Sequence, residues 1–382
     1  MNIYDVIVVG VGGMGSAAAF ELARRGRRVL ALEQFAVGHD RGSSHGLTRI
    51  IRKAYYEHPD YVPLVCRAYE RWYDLEQRTG RHLLTECPCL SIGPPASRLI
   101  TGVQESAAQH ALPVESLSAD DLRRRFPAFR FNDGYVGVLE RSAGFLYVDD
   151  CVQAHAREAV RLGADLRENE PVLSWEASAS GVTVQTAKGR YAAGRLVLTA
   201  GPWAGRLLRQ WGRPLTVMRQ VPQWFGTRDD RLFRRDAFPI YIAEVPGGHF
   251  YGFPMLDPAG VKVAQHYGAP ELPGPDEIRY EPTAADEESA RAFLRAYLPA
   301  ADGPRNRASV CVYTLTPDRH FILDLHPEHA NVALAAGFSG HGFKFASVVG
   351  EVLADLAENG RTDLSIGMFR VGRFAPLTGG GP

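Results

Sequence analysis

Residues 4–10, YDVIVVG, form a short unbroken apolar run rich in Val and Ile, the pattern of a parallel strand buried on both faces. SAAAFELARRG follows with helical character and is closed by Gly26; RVLALE then reads as a second strand ending at Glu33. YVPLVCRAYERWYDLEQR, near 61–78, predicts a long amphipathic helix, and VDDCVQAHAREAVRLGADL predicts another. GVTVQTAKGRYAAGRLVLTAGPWA predicts a hairpin and a buried strand leading into 199–204. Near the end, NVALAAGF (331–338) is a further buried strand, SGHG a loop, and FKFASVVGEVLADLAENG a helix capped by Gly360. The apolar residues of that helix, Phe345, Val348, Val349, Val352, Leu353 and Leu356, fall at helical spacing. The intervening stretches, near 86–144 and 216–310, read as strands and loops, with FPIYIAEVPGGHFYGFP and GVKVAQHYG alternating between Gly/Pro turns.

The parallel-strand and helix signals thus come from the beginning, middle and end of the chain. This predicts an α/β protein with an α+β second part. A Rossmann-like dinucleotide domain is built from 1–85, 145–215 and 312–382, and an antiparallel-sheet substrate domain from 86–144 and 216–311 is inserted in it. Between the first two strands lies GVGGMG, with Gly10, Gly12 and Gly15 in G-x-G-x-x-G register around Gly13 and Met14. Gly10 makes the tight turn, Gly12 lets the backbone approach a pyrophosphate, and Gly15 lets helix and strand pack closely. Glu33, about 20 residues on, is placed to accept the ribose hydroxyls. An acid there repels a 2′-phosphate, which disfavours NADP and leaves FAD and NAD open. No second strand–helix–strand unit follows directly, and the interleaved chain suits a flavin enzyme better than a nicotinamide dehydrogenase.

Composition narrows the chemistry further. The 382 residues carry a formal net charge of +0, so nothing favours nucleic acid or an anionic membrane surface. No apolar run approaches a membrane span, no secretion signal precedes YDVIVVG, and LTGGGP carries no peroxisomal or ER-return signal. Five cysteines without framework spacing point to a reducing, cytoplasmic setting, and the Cys87/Cys89 pair lacks the partners of a zinc site; no metal is expected. Only four of the 43 basic residues are lysines: Lys53, Lys188, Lys262 and Lys344. A lysine in such a chain marks a place that needs a compact ammonium with a movable pKa. Lys262 and His266 share one face of GVKVAQHYG, with Tyr251 on the preceding strand. An inward Lys262 supplies positive charge where an anion develops. Lys344, at the start of the last helix, suits either a substrate carboxylate or the negative edge of a reduced flavin. Arg49 and Arg52 offer guanidinium forks, with His45 just before them. Cys311, set among Val residues in SVCVYT, reads on composition alone as a small buried hydrophobe.

Taken together, VIVVGVGGMGSAAAFELARRG, GSSHGLTRIIRKAY, FYGFP, VCVYT and DLHPEHANVALAAGFSGHGFKFAS resemble the monomeric sarcosine oxidase family. That family includes N-methyltryptophan oxidase and lies within the D-amino-acid-oxidase-like flavoproteins; the resemblance covers nearly the whole chain. It implies a flavoprotein amine oxidase that demethylates a small N-methyl amino acid, sarcosine foremost, with O2 as acceptor. N-methyltryptophan, N-methylalanine, pipecolate and proline are the alternative substrates. The cysteine that such enzymes join to the FAD 8α-methyl as a thioether aligns with Cys311. Arg52 and Lys344 would clamp the substrate carboxylate, Lys262 would activate dioxygen, and Arg49 and His45 would sit near the ring. Tyr251, His266, Tyr313 and the Gly340 carbonyl would line the substrate pocket. Gln34, Ser43, Ser44, Val172, Ala200, Gly201, Trp203, Gly342 and Phe343 join the glycine motif, Glu33, Arg49, Gly340 and Lys344 in the cofactor site, and the family name suggests a monomer. Where members commonly read GSHHGDTR, this chain carries Ser44 and Leu47.

Overall fold

In the computed structural model, which describes residues 4–208 and 215–374, the apolar run becomes the strand Tyr4–Val9 at the centre of a parallel sheet. Val29–Leu32 and Arg190–Leu198 flank it; Asp165–Arg167 lies outside the former and His329–Ala336 outside the latter, all parallel. Alternate side chains go to opposite faces, and both faces are covered. Val6 and Val8 pack into one core with Ala18, Leu22, Val152, Val349 and Leu353 from the helices Gly13–Arg24, Val148–Arg161 and Ala346–Asn359. Ile7 and Val9 pack into a second core with Trp175, Val182 and Val184 of the hairpin Val172–Ser178/Gly181–Thr186. Two buried faces explain why the strand is a continuous apolar run rather than an alternating one.

A second, eight-stranded sheet runs in the order Arg305–Ala308, Gln223–Phe225, Val261–His266, Gly248–Phe253, Ile240–Val245, Cys89–Gly93, Val136–Glu140, Val114–Leu117. Its neighbours are antiparallel except Ile240–Val245 with Cys89–Gly93, which are parallel and join the two inserted stretches. Two three-stranded sheets bridge the larger ones: Thr48–Ile51 and Leu84–Glu86 against Gly144–Tyr147, and Glu271–Leu272 and Cys311–Leu315 against Thr216–Gln220. The divisions placed at 85/86, 144/145 and 311/312 by sequence therefore fall inside these bridging strands. Among the described residues no helix is long and apolar enough to cross a membrane.

The stretches read as strands and loops also contain the helices Arg98–Gln109, Ala119–Arg125 and Ala284–Tyr297. Caps mark their starts: Ser97 accepts the Ile100 N–H, and Ser118 and Thr283 form capping boxes with Asp121 and Asp286. Leu99, Ile100 and Val103, and Ala290, Phe293 and Leu294, give the first and last of them a buried apolar face at helical spacing. Gly102 weakens the first of these helices but is required there, since a Cβ would lie 2.4 Å from the Tyr56 carbonyl oxygen.

Candidate active site

The parallel strands end at one edge of their sheet. The residues that follow them, Gly10, Glu33, Thr199 and Gly337, line one cavity of about 440 Å³, the place where an open α/β sheet binds its ligand. Gly10 holds φ +84, and a Cβ on it would come within 2.6 Å of the Thr199 carbonyl oxygen. A Cβ on Gly15 would lie 1.7 Å from the Gly10 carbonyl oxygen, so strand and helix can meet only if this residue has no side chain. Gly12, at the start of the Gly13–Arg24 helix, has no side chain to cap it, and Ser44 Oγ takes the Gly13 N–H alone, so that helix end lines the cavity and is available to an anion. Glu33 is buried; its carboxylate accepts the Val11 N–H at 2.7 Å and the Phe35 N–H at 3.0 Å. Burial raises the Glu33 pKa against the pull of those amides. A cradle that a Cβ would fill, a helix end facing the cavity and a fixed acid at the next strand fit the pyrophosphate and ribose of FAD. Of the residues expected to hold the cofactor, Met14, Gln34, Ser43, Ser44, Val172, Ala200, Trp203 and Phe343 also line this cavity; Gly15 does not, lying beneath the turn.

Farther along, Arg49, Tyr251, His266, Tyr313, Gly340 and Lys344 form the wall. Cys311, His45 and Lys262, expected in the same place, stand behind Arg49 instead of lining the cavity. Arg49 Nη2 is 3.4 Å from Cys311 Sγ, and His45 Nδ1 is 3.9 Å from the same sulfur. Burial pushes the Cys311 thiol up, but Arg49, His45 and Lys262 outweigh it and bring its pKa down to about 6. His45 responds in kind: burial disfavours its imidazolium, and the thiolate raises its pKa on balance. Lys262 is 2% exposed and donates to the Gly46 carbonyl at 2.8 Å, the Thr48 carbonyl at 2.9 Å and Thr48 Oγ1 at 3.2 Å. Burial, assisted by Arg49, lowers its pKa well below the ordinary lysine value. The rings of Trp224 and Phe253 close around the ammonium.

Arg52 and Lys344 converge on the opposite side, with Glu57 already engaged there. Arg52 Nη2 reaches Glu57 Oε2 at 2.6 Å, Nη1 donates to the Ala54 carbonyl at 2.7 Å, and the Tyr55 and Tyr56 rings flank the guanidinium. Lys344 Nζ donates to the His341 carbonyl at 2.7 Å and to Tyr55 Oη at 3.3 Å. Burial would raise the Glu57 carboxyl, but Arg52, His341 and Lys344 bring it down to about 2. Burial and the charge of Arg52 lower Lys344 to about 7. His266 Nδ1 meets Tyr313 Oη at 3.0 Å, and burial drives His266 down to about 3, leaving it neutral. Gly340 holds φ +82 with Tyr313 so close that a Cβ would lie 2.4 Å from its ring.

Sequence reasoning missed Glu57, Tyr55, Tyr56 and His341. A signal exists for the first three: RKAYYEH places two tyrosines and an acid within five residues of Arg52. Leu47, where an Asp is usual, takes φ 69 and donates its N–H to Asp149 at 3.1 Å, while Ser44 Oγ accepts the Gly13 N–H at 3.0 Å. Ser44 therefore ties the loop to the glycine turn.

Comparison with known proteins gives a consistent result. The family model described as FAD dependent oxidoreductase (DAO) matches residues 5–356. The chain is 43% identical over 377 residues to a monomeric sarcosine oxidase of Streptomyces avermitilis, covering 97% of this chain and 98% of that one. It is 40% identical to one from a Bacillus species, over 97% of this chain and 96% of the other. An N-methyl-L-tryptophan oxidase of Yersinia pestis is 36% identical over 373 residues, 97% of this chain and 99% of its own. Among solved structures, the open form of NikD, an unusual amino acid oxidase essential for nikkomycin biosynthesis, superposes with a TM-score of 0.85 at 28% identity over 97% of this chain and 98% of that one.

Proposed function

Since the chain belongs to the DAO family of FAD-dependent oxidoreductases, we propose that it oxidises a small N-methyl amino acid, foremost sarcosine, yielding glycine, formaldehyde and H2O2 from sarcosine, O2 and H2O. The observation that carries this reading is the buried Arg52–Glu57 pair beside Lys344: this end of the cavity is built to hold a carboxylate. A substrate carboxylate takes the place of Glu57 between Arg52 and Lys344. FAD, when bound, supplies the two-electron acceptor for the amine and the route onward to dioxygen. The helix end at Gly12 and the glycine turn would hold its pyrophosphate, and Glu33 would hold its ribose. Only the neutral amine has the lone pair the oxidation needs. Tyr251, Tyr313 and a neutral His266 make the middle of the cavity poor in solvating charge, which lowers the pKa of a bound ammonium. Lys262 supplies the positive charge that favours electron transfer to dioxygen. The low-pKa Cys311 thiol, which stands behind the Arg49 wall in the ligand-free cavity, would anchor the cofactor as an 8α-S-cysteinyl thioether once Arg49 gives way to the flavin ring. The relatives' names favour a monomer, and the free cysteines Cys66, Cys87, Cys89, Cys151 and Cys311 favour the cytoplasm.

Intact-mass measurement and anaerobic titration with sarcosine test this. A flavin-sized adduct that disappears in C311S, together with bleaching of the flavin absorbance and release of glycine and formaldehyde, is the expected result. A bare polypeptide mass overturns the covalent anchor; bleaching by N-methyltryptophan but not by sarcosine overturns the substrate.

A further inference from the structure

Glu140 ends the strand Val136–Glu140 and is 4% exposed. Its two oxygens are directed at backbone: Oε1 accepts the Lys53 N–H at 2.8 Å and Oε2 the Ala54 N–H at 2.9 Å. Burial raises its pKa while these amides and the charge of Arg52 oppose the rise. An acid buried here at such cost, when a neutral side chain would fill the space, calls for a reason.

What the two bonds hold is the turn from Arg52 to Glu57. Ala54 gives its N–H to Glu140 and its carbonyl to Arg52 Nη1 at 2.7 Å, so a single residue joins the buried acid to the guanidinium. From the other side, Ser106 Oγ donates to the Tyr55 carbonyl, and the Cβ-free Gly102 lets its helix rest on the Tyr56 backbone. Tyr55 and Tyr56, held in this way, flank Arg52 with ring centroids at 4.4 and 4.8 Å. The direction of the guanidinium is therefore set by the turn, and the turn is pinned by a carboxylate from the other large sheet.

We infer that Glu140 is a positioning residue for substrate recognition: by fixing the Lys53–Ala54 amides it aims Arg52 at the substrate carboxylate. The inference rests on the proposed function, in which Arg52 binds that group. It separates the residue's effect on carboxylate ligands from any effect on amines in general, because the pinned turn serves only the carboxylate end of the cavity.

The test compares sarcosine with N-methylglycinamide, its neutral amide, in the flavin-loaded E140Q enzyme, with acetate as a competing bare carboxylate. The side-chain amide introduced by E140Q would set an N–H against a backbone N–H, and a lost charge-assisted bond corresponds to about a tenfold effect. The KM for sarcosine and the inhibition constant of acetate are expected to rise about tenfold, with the amide's KM changing less than about twofold. E140D, which keeps the charge but withdraws it by one methylene, carries the same comparison if E140Q does not fold. Equal rises for acid and amide, or none for either, overturn the inference and leave Glu140 a structural staple. R52Q distinguishes the two levels. If R52Q weakens acid and amide alike, the carboxylate reading itself falls; if R52Q weakens the acid selectively and both Glu140 variants do not, only the positioning role falls.

Discussion

Replacing Glu57 by Gln isolates the carboxylate that Arg52 holds in the ligand-free enzyme. The Glu57 pKa, lowered from 4.5 to about 2 by buried cationic neighbours that outweigh desolvation, corresponds to about 3 kcal/mol of stability at neutral pH. The side chain is 12% exposed, so solvent screening removes little of this. Because the folded pKa is depressed, the contribution is complete above pH 4.5 and is lost as pH falls towards 2. For 382 residues, an unfolding entropy near 2.1 cal/mol/K per residue converts about 3 kcal/mol into a Tm drop of about 4 °C for E57Q at neutral pH. The drop should shrink as pH falls below 4.5 and vanish only as it passes below about 2, where wild-type Glu57 itself loses its charge. Ligand binding should move the other way. Wild-type enzyme must release Glu57 before Arg52 can take a substrate carboxylate, whereas E57Q has no competing charge, so acetate should bind about tenfold more tightly to the variant and restore part of its Tm. Scanning calorimetry with and without acetate, across pH, measures both effects. Unchanged acetate affinity together with a pH-independent Tm difference would refute the view that Glu57 occupies the carboxylate place.

Leu47 holds a left-handed φ of 69 while 39% exposed, so L47N, which tolerates that conformation and keeps the N–H to Asp149, should gain about 1 kcal/mol, read as a higher urea midpoint at constant slope. G15A places a methyl 1.7 Å from the Gly10 carbonyl oxygen and should yield protein with little bound FAD, measured as flavin absorbance per polypeptide. Full flavin content in G15A would show that the turn can open without loss. K262M should slow reoxidation by dioxygen about a hundredfold in stopped-flow mixing while anaerobic reduction by sarcosine changes little. Equal slowing of both half-reactions would remove Lys262 from the oxygen step.

Much of this protein is legible before folding, and the reason is locality. YDVIVVG, the glycine register and Glu33 lie within thirty-odd residues, and a strand buried on both faces, a turn without side chains and an acid at the next strand each follow from local sterics. The scarcity of lysine likewise singled out Lys262 and Lys344, both of which are buried. The helices Arg98–Gln109 and Ala284–Tyr297 were legible too, from a capping Ser97 or Thr283 followed by apolar residues at helical spacing, but they lie in stretches whose Gly/Pro turns and alternating runs read as strands and loops. What no local pattern contains is which charges meet. Cys311 looks like any small apolar residue until Arg49, His45 and Lys262, from two distant segments, surround its sulfur and bring its pKa down to about 6. Glu140 looks like a strand's last surface acid until Lys53 and Ala54 give it their amides. Chain pattern determines burial and secondary structure because those depend on neighbours in sequence. The electrostatics of the site depend on distances of a few ångströms between residues up to 289 positions apart, and only the tertiary structure sets those.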